Sequence, residues 1–333
     1  MSASNTNANH PRVLIVGCGN IAGGYDLGRL QDDLPFTHAG AYVRDGRFNI
    51  AACVEPDDKR RDEFMAAWSV PIGFRSVNEL LDVVEQFDVI SICSPTTCHA
   101  SDLDVVLHLK PKLIFCEKPV TPSFAETERL VEECSKANIL LAVNYTRRWD
   151  PDIVKLQTEM NAGQWGQLRS VNGAYNKGIL NNGSHMVDLL NLLVGPVEVV
   201  QVGKPVQDYF SDDPTIPVWL EGNQGVPIHL ICGHAEDYAV FELELIFSAG
   251  VLAMEEGGMY WRERRAIDSD IFKGYRMLDE GVRRPGGYLQ SMLKAVDNIY
   301  RAINQGAPLA STGATALAAQ KVCEKVKQQT CAL

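Results

Sequence analysis

The sequence predicts an α/β protein in which a doubly wound parallel sheet is followed by an α+β domain with an open, largely antiparallel sheet. Three observations predict this fold. Short apolar runs alternate with helical segments through residues 12–145, a succession typical of parallel sheets with helices on both faces. Strand-like runs then follow one another without intervening helices across 197–256, which favours antiparallel pairing. A chain of 333 residues is also long for a single core.

The first domain, predicted to cover 11–145, contains short apolar runs that we interpret as strands. They lie at 12–17, 48–55, 71–74, 87–94, 112–117 and 139–145. The runs 87–94 and 112–117 are continuously apolar, as expected of parallel strands that are buried on both faces. Helices are expected between the strands at 57–68, 76–84 and 121–138. The helix at 76–84 begins with Ser76 and Glu79, a capping-box pair.

The second domain, predicted to cover 146–333, has a different pattern. A helix at 151–162, a strand at 168–175 and a helix at 183–194 are followed by strand-like runs at 197–203, 216–220, 227–233, 238–248 and 250–256. The segment FELELIF within 238–248 alternates apolar and acidic residues, as a half-buried strand does. Two terminal helices are expected at 286–305 and 313–328. These helices are candidates to pack back on the first domain.

The composition argues against several kinds of partner. A formal net charge of −11 argues against nucleic acid and acidic membrane surfaces, and no run reaches the ~18 apolar residues that a membrane helix needs. Residues 1–10 are polar and lack the features of a signal peptide, so we expect a disordered tail. The nine cysteines form no CxxC pair, and we interpret them as reduced thiols of a cytoplasmic protein. No ligand cluster suggests a metal.

A glycine-rich loop follows the first predicted strand. Gly17 permits a tight turn, Gly19 lets the backbone approach a pyrophosphate, and Ala22 lets a following helix pack closely while its N-terminus faces the anion. We interpret residues 23–40 as an insertion after this loop. The strand before the loop favours dinucleotide binding in a Rossmann domain, and a plain helix-capping turn is the alternative.

Glu55 ends the second predicted strand. A carboxylate at this place accepts hydrogen bonds from adenosine ribose hydroxyls and repels a 2′-phosphate, which favours NAD over NADP. Three basic residues just beyond it, Lys59, Arg60 and Arg61, work against that preference. The alternative interpretation is a surface glutamate.

Lys118 follows the apolar strand 112–117 within the tripeptide Glu117-Lys118-Pro119. The carboxyl ends of parallel strands are where such sheets bind ligands. A residue before proline is held extended, which fixes the direction of Lys118, and the Lys118–Pro119 bond is one for which a cis peptide costs little. The tripeptide alone is equally compatible with a surface lysine.

His185 lies near the start of an apolar helical run, with Asn181, Gly183 and Ser184 as candidates for the helix start and its cap. In the first turn the helix dipole, together with a nearby Lys118, favours a neutral imidazole. Such a ring can accept the proton that an alcohol loses when hydride leaves carbon.

Asp188, three residues after His185, lies on the same helical face. It is expected to receive the other ring N–H and fix the tautomer. Lys118 is expected to stabilise the developing alkoxide. The alternative is a packing histidine that is hydrogen-bonded to Asp188.

The ordered motifs resemble the glucose-fructose oxidoreductase / inositol dehydrogenase / rhizopine catabolism (Gfo/Idh/MocA) family. The matching segments are GCGNIA at 17–22, Glu55-Pro56, SICSPTTCHA at 91–100, CEKPVT at 116–121, NYTRRWDP at 144–151, the G-x-H-x-x-D of 183–188 and the two-helix tail. The resemblance implies a Rossmann domain followed by a domain whose open sheet often forms a homodimer or homotetramer. It also implies hydride transfer between NAD(P) and a sugar, cyclitol or nucleotide-linked sugar.

The resemblance and the motifs together give the candidate site. Lys118 and His185 are the expected catalytic pair, with Asp188 and Asn181 beside them. The residues expected to bind the cofactor are Gly17, Gly19, Asn20, Ile21, Ala22, Glu55, Ser94, Thr96, His99, Glu117, Lys118 and Asn144. The resemblance implies that Thr96, His99 and Glu117 line the nicotinamide side. The residues expected to bind the substrate are Lys118, Arg147, Arg148, Lys177, Asn181 and His185.

Asn181 departs from the family pattern, since many members carry an aspartate four residues before the histidine. An asparagine can hydrogen-bond a substrate hydroxyl or position His185, but it cannot exchange a proton. Lys177 is a candidate to face the substrate or an anionic group on it, and a solvent-exposed lysine is the alternative. Two other functions stay open on the same fold, a non-catalytic NAD(P)-binding regulator and an NAD-assisted glycosidase.

Overall fold

The computed structural model describes residues 10–29, 33–82 and 85–330. The predicted tail therefore lies outside the described residues, except for His10. The chain divides into two compact units. The first runs to Asn144 and also contains Met292–Gly313, and the second contains Tyr145–Ser291 and the chain from Ala314 onward.

The first unit is built on a parallel sheet, as the sequence predicts. Its described strands are β1 Arg12–Val16, β2 Asn49–Val54, β3 Ile72–Phe74, β4 Val89–Ile92, β5 Leu113–Cys116 and β6 Leu140–Val143. They lie in the order β3-β2-β1-β4-β5-β6, and every neighbouring pair is parallel. The order reverses between β1 and β4. Ligands of such sheets bind beyond the carboxyl ends of the strands at this switch point.

The helices of this sheet are α1 His38–Asp45, α2 Asp58–Trp68, α3 His99–His108 and α4 Phe124–Lys136. Side chains cap three of them, because Thr37 accepts from the Gly40 N–H, Asp57 from the Arg60 N–H and Ser123 from the Glu126 N–H. The helix expected at 76–84 is instead a short 3-10 helix over Val77–Asp82. The Ser76 hydroxyl accepts from the N–H of Asn78, one residue earlier than a capping box requires, which tightens the turn.

The second unit contains the helices α5 Pro151–Asn161 and α6 Ser184–Val194 and a mixed sheet. The described strands are β7 Leu168–Tyr175, β8 Glu198–Val202, β9 Val218–Glu221, β10 Pro227–Cys232, β11 Phe241–Phe247, β12 Gly250–Glu255, β13 Tyr260–Asp268, β14 Arg276–Leu278 and β15 Val282–Pro285. Their order is β14-β13-β12-β11-β7-β10-β9-β8, and β15 pairs with β13. Only β7 and β10 pair in parallel among these described strands.

The alternation expected in β11 is present, since Phe241, Leu243, Leu245 and Phe247 are buried and the residues between them are not. The last three strands were not recognised in the sequence. The strand β13 reads YWRERRAID, and its charged residues on both faces obscure the period of two.

Two terminal helices, α7 Ser291–Gln305 and α8 Gly313–Thr330, complete the chain. Helix α7 packs within the first unit, where the Tyr300 ring meets Phe48 at 5.7 Å between centroids and Asp297 accepts from Arg47 at 2.8 Å. Among the described helices, none has the length and hydrophobicity to span a bilayer.

Candidate active site

The loop after β1 has the geometry that its two glycines predict. Gly17 has φ +85°, and a Cβ there would lie 2.5 Å from the backbone nitrogen of Ser94, so only glycine fits. A Cβ on Gly19 would meet nothing within 4 Å. The backbone at Gly19 is therefore open to a ligand.

A single helical turn follows this loop and is then interrupted. The N–H of Gly23 donates to the carbonyl of Gly19 at 3.2 Å, as in an α-helix. The next bonds of the ladder come from beyond the insertion, because the N–H of His38 donates to Ile21 at 3.1 Å and that of Ala39 to Ala22 at 2.8 Å. The insertion expected after the loop is therefore present, and the helix resumes at α1, which includes the residues 38–40 that were assigned to the insertion.

The interruption is closed at its neck by Asp26. Its carboxylate accepts from the backbone N–H groups of Phe36 and Thr37 and from the Thr37 hydroxyl, at 2.6–3.0 Å. Thr37 in turn caps α1 by accepting from the N–H of Gly40. These bonds bring the two ends of the inserted segment together, which lets the helix continue in register.

The turn after β1 leaves backbone donors available. No described residue accepts a hydrogen bond from the N–H of Gly19, Asn20 or Ile21. Unpaired N–H groups at the start of a helix bind phosphate well. Together with the open side of Gly19, they fit a dinucleotide pyrophosphate.

The substitution Gly19→Val tests this fit. The added side chain should fill the open side of the loop and lower NAD(P) affinity by about tenfold or more, which is ~1.4 kcal/mol per factor of ten. The melting temperature of the free protein should stay within about 2 °C, because nothing in the fold is displaced. Calorimetry and thermal melting measure the two quantities. An unchanged affinity would contradict the assignment, and Gly17→Ala should instead lower the melting temperature.

Glu55 is buried, with 4% of its surface exposed. One carboxylate oxygen accepts from the N–H of Cys18 at 3.1 Å, and the other accepts from the N–H of Asp57 at 3.1 Å. Arg60 lies 3.5 Å from the second oxygen. Glu55 therefore ties the glycine loop to the start of α2, a positioning task that the sequence did not reveal. Its contact with a ribose stays a prediction.

Lys118 is half-buried directly after β5 and precedes a cis peptide bond to Pro119, the isomer that the sequence allowed. The Glu117 carboxylate beside it accepts from the His38 ring at 2.9 Å and from the Asn144 amide at 2.6 Å. Burial raises the pKa of Glu117, but hydrogen bonds from His38 and Asn144 and the charge of Lys118 outweigh it and hold that pKa below its ordinary value. The carboxylate is therefore ionised at neutral pH.

His38 continues this network away from Lys118. Its Nδ1 lies 3.2 Å from the Ser91 hydroxyl, and that hydroxyl lies 2.9 Å from the Tyr42 hydroxyl. All three side chains are fully buried. The contacts of His38 and Tyr42 were not predicted, because residues 38–40 were interpreted as part of the insertion. The sequence of α1 gave no separate signal.

His99 supports the loop that carries Lys118. Its Nε2 lies 2.8 Å from the carbonyl oxygen of Ser94, and its Nδ1 lies 3.1 Å from those of Pro119 and Val120. The ring is 1% exposed, so it links the segments after β4 and β5 from within the core. The expected contact of His99 with a nicotinamide stays a prediction. Thr96 begins the short 3-10 helix between β4 and α3.

His185 lies in the second unit, half-buried on α6, with its ring edge-on to Tyr145 at 5.3 Å. Helix α6 begins at Ser184, close to the expected start. A π-helical turn over Gly178–Gly183 runs directly into it, so the helical backbone begins earlier than expected. The N–H groups that open this turn, those of Leu180 and Asn181, are capped by Asp213 at 2.8–3.1 Å. His185 is therefore a turn further from the helix start, where the dipole acts less strongly.

Asp188 forms a buried ion pair with Arg148. Both of its carboxylate oxygens accept from the Arg148 Nε, at 2.9 and 2.8 Å, and the two side chains are 2% and 7% exposed. Burial raises the pKa of Asp188 to about 6, and the guanidinium limits this rise. The sequence paired Asp188 with His185 and did not reveal this arginine; the pairing with His185 stays a prediction.

Arg147 is also buried and points into the second unit. Its guanidinium donates to the carbonyl of Gly257 at 3.0–3.2 Å and lies 3.6 Å from the centre of the Phe241 ring. Burial lowers the pKa of this arginine. The two arginines expected to bind substrate are thus both engaged inside the unit, so their substrate contacts stay predictions.

Parts of this chain are similar to known oxidoreductases. Residues 11–145 match the model of the GFO_IDH_MocA oxidoreductase family, described as an NAD-binding Rossmann fold. An inositol 2-dehydrogenase of Rhizobium meliloti is 24% identical over 270 residues, which cover 72% of this chain and 78% of that protein. Residues 11–145 are therefore similar to the NAD-binding domain of the Gfo/Idh/MocA family.

Other relatives align over shorter stretches of the chain. A myo-inositol 2-dehydrogenase of Thermotoga maritima is 29% identical over 110 residues, which cover 33% of this chain and 32% of that protein. An uncharacterised oxidoreductase of Bacillus subtilis is 40% identical over 79 residues, which cover 24% of this chain and 23% of that protein. The matches thus span about a third or less of the lengths of these two relatives.

Solved structures share the fold over almost the whole chain. A putative myo-inositol dehydrogenase from Sinorhizobium meliloti superposes with a TM-score of 0.72 at 19% identity, covering 96% of this chain and 97% of that one. An oxidoreductase from Agrobacterium radiobacter in complex with NAD+, L-tartaric acid and magnesium gives a TM-score of 0.76 at 14% identity, covering 97% and 96%.

The residues expected on the cofactor side lie at one edge of the parallel sheet. They follow the carboxyl ends of its strands: Gly17, Gly19, Asn20, Ile21 and Ala22 after β1, Glu55 after β2, Ser94, Thr96 and His99 after β4, Glu117 and Lys118 after β5, and Asn144 after β6. The remaining candidates lie in the second unit: Arg147, Arg148, Lys177, Asn181, His185 and Asp188. No described cluster of three or more His, Cys, Asp or Glu side chains is grouped to hold a metal ion.

Proposed function

We propose that this protein is an NAD(P)-dependent oxidoreductase. Hydride would pass between the nicotinamide and a secondary alcohol or ketone of a sugar, cyclitol or nucleotide-linked sugar. One observation carries the proposal: Lys118 follows a strand of the sheet that bears the glycine loop, and buried groups fix the residue beside it. Glu117 is held by His38 and Asn144, and the loop is held by His99.

The loop after β1 would hold the pyrophosphate, and Glu55 would face the adenosine ribose. The cofactor, when bound, supplies the hydride acceptor or donor. The Asn144 Oδ1 favours a bound cofactor at this site, because the oxygen is buried and no described residue donates a hydrogen bond to it. We expect a preference for NAD over NADP from the carboxylate of Glu55. Arg60, with 56% of its side chain exposed, limits this preference.

The proton chemistry would be carried by side chains of the protein itself. The Lys118 ammonium stabilises negative charge on the substrate oxygen as its proton leaves. His185 accepts that proton in the oxidation direction and returns it in reduction. Asn181 positions the substrate or the ring by hydrogen bonding, because an amide does not exchange protons at neutral pH.

The same proposal includes a cytoplasmic homo-oligomer assembled through the sheet of the second unit. Its support is a set of exposed apolar side chains on the neighbouring strands β8, β9 and β10, namely Val200, Trp219 and Ile231 at 53%, 44% and 62% exposure. Exposed apolar side chains on adjacent strands are characteristic of protein–protein contacts.

A screen for cofactor reduction tests the function. The protein is incubated with NAD or NADP and, in turn, cyclitols, aldoses, sugar acids and nucleotide-linked sugars, and absorbance at the reduced nicotinamide band is followed. Turnover of at least one class, with NAD favoured, is the expected result. Absence of turnover across the panel, with NAD still raising the melting temperature, would overturn the proposal in favour of a nucleotide-binding regulator.

A further inference from the structure

Lys177 holds an unusual backbone conformation directly before the turn that leads to His185. Its φ and ψ are 63° and 43°, the left-handed region that non-glycine residues seldom adopt. The N–H of Lys177 donates to Asp208 at 2.8 Å, and the other Asp208 oxygen accepts from the Thr215 hydroxyl at 2.8 Å. Strained residues that surrounding groups hold in this way cluster at functional sites.

The carboxylates around Lys177 are engaged elsewhere. Asp208 is bound to the Lys177 N–H and to Thr215, and Asp213 accepts from the N–H groups of Leu180 and Asn181. Both are 8% exposed. Across the described residues, no carboxylate forms an ion pair with the Lys177 ammonium. Asp213 instead lies 3.9 Å from the Lys327 ammonium.

The ammonium of Lys177 lies beside an exposed aromatic ring. Its nitrogen is 5.5 Å from the centre of the Tyr209 ring, and Tyr209 is 63% exposed. The Phe210 ring packs edge-on to Tyr209 at 4.6 Å. The half-buried lysine therefore presents its charge at a surface that is partly apolar, where a cation attracts an anion more strongly than in open water.

Asn181 and His185 are four residues apart along the π-turn and α6, a spacing that places them on one face, and Lys177 directly precedes the π-turn. The Asn181 side-chain amide donates to the Lys177 carbonyl at 3.0 Å. An ionised aspartate has no proton to donate there. The amide of Asn181 is therefore suited to the conformation of Lys177. The asparagine in place of the usual aspartate and the left-handed backbone of Lys177 thus belong together.

We propose that Lys177 binds a carboxylate of the substrate, so that the substrate is a sugar acid or an acidic cyclitol. A single ammonium matches the one negative charge of a carboxylate. A phosphate monoester carries about 1.5–2 charges at neutral pH and needs more cations than this cluster supplies. The inference rests on the proposed oxidoreductase function only in taking the His185 face as the substrate site.

The experiment compares matched acid and neutral probes, D-glucuronate with D-glucose and D-galacturonate with D-galactose. Kinetics with NAD and calorimetric binding in the presence of NAD are measured on the full chain. We expect at least one acid to be preferred, and Lys177→Met to weaken its kcat/KM or affinity about ten- to a hundredfold, as loss of a charge-assisted hydrogen bond does. Neutral probes should be unaffected, and Lys177→Arg should retain most of the preference.

Lys204→Met is the matched control, because Lys204 is an exposed lysine of the same unit and its loss should change nothing. Equal use of acids and neutral sugars, equal loss of both in Lys177→Met, or no binding of either acid would overturn the inference. Binding of an acid that depends on Lys177 without any turnover would support the inference while the proposed oxidoreductase function fails. Turnover of neutral sugars alone would support the proposed oxidoreductase function and overturn the inference about Lys177.

Discussion

Lys118→Met and His185→Phe should each lower kcat by about 10²–10³-fold, the usual cost of removing one group that stabilises developing charge or transfers a proton. Phenylalanine keeps the edge-on packing of position 185 against Tyr145, so the fold should be unaffected. The double variant should be about as slow as the slower single variant, because groups that serve one proton transfer are not additive. Steady-state kinetics on the substrate found by the screen measure all three.

Lys136→Met is the control for this set, since Lys136 is a surface lysine on α4 with 68% of its side chain exposed. It should retain full activity. Wild-type turnover in either single variant would refute the role of that residue. Multiplied losses in the double variant would mean that Lys118 and His185 act on different steps.

Arg148→Met should lower the free energy of unfolding at pH 7 by about 3–5 kcal/mol, because it leaves the Asp188 carboxylate buried without its cation. Urea unfolding followed by circular dichroism measures it. The surface pair of Arg129 with Asp104, whose side chains are 41% and 49% exposed, offers the control. Arg129→Met should cost no more than about 1 kcal/mol.

The stability loss in Arg148→Met should shrink as the pH falls. The pKa of Asp188 is already raised to about 6 with the guanidinium present, and it rises further without it. A carboxyl whose folded pKa lies above its unfolded value favours the folded state most when protonated, and this contribution is lost as pH rises through the folded pKa. The variant should therefore approach the wild type towards pH 5. A loss that is the same at pH 5 and pH 7 would show that packing, not charge, links Arg148 to Asp188.

The parallel sheet was predictable because each of its strands is a continuous apolar run bounded by turns or helices, and the glycine loop was predictable because backbone approach to phosphate restricts residue type. Strand β13 was not predictable. Its charges are paired with neighbouring strands, as in Arg262 with Glu255 and Glu263 with Arg284, and such pairing is invisible along one stretch of sequence.

The roles of Lys118 and His185 stay predictions that rest on their neighbours in sequence. The partners of the nearby carboxylates Asp188 and Glu117 were not predictable. Arg148 is 40 residues from Asp188, and His38 is 79 from Glu117, so these contacts arise only from the fold. Asn181 was recognised as a departure from the family pattern. Its hydrogen bond to the carbonyl of Lys177, whose backbone is left-handed, cannot be predicted from a sequence pattern.

The interrupted helix after β1 has a consequence for comparing this chain with its relatives. Because the N–H of His38 donates to Ile21, His38 takes the helical place four residues after Ile21. A relative with an unbroken helix would carry the counterpart of His38 at that fourth position. Alignments whose gap lies within residues 23–37 and leaves His38 four places after Ile21 should therefore reveal which relatives share the histidine behind Glu117, and those that place the gap otherwise will conceal it.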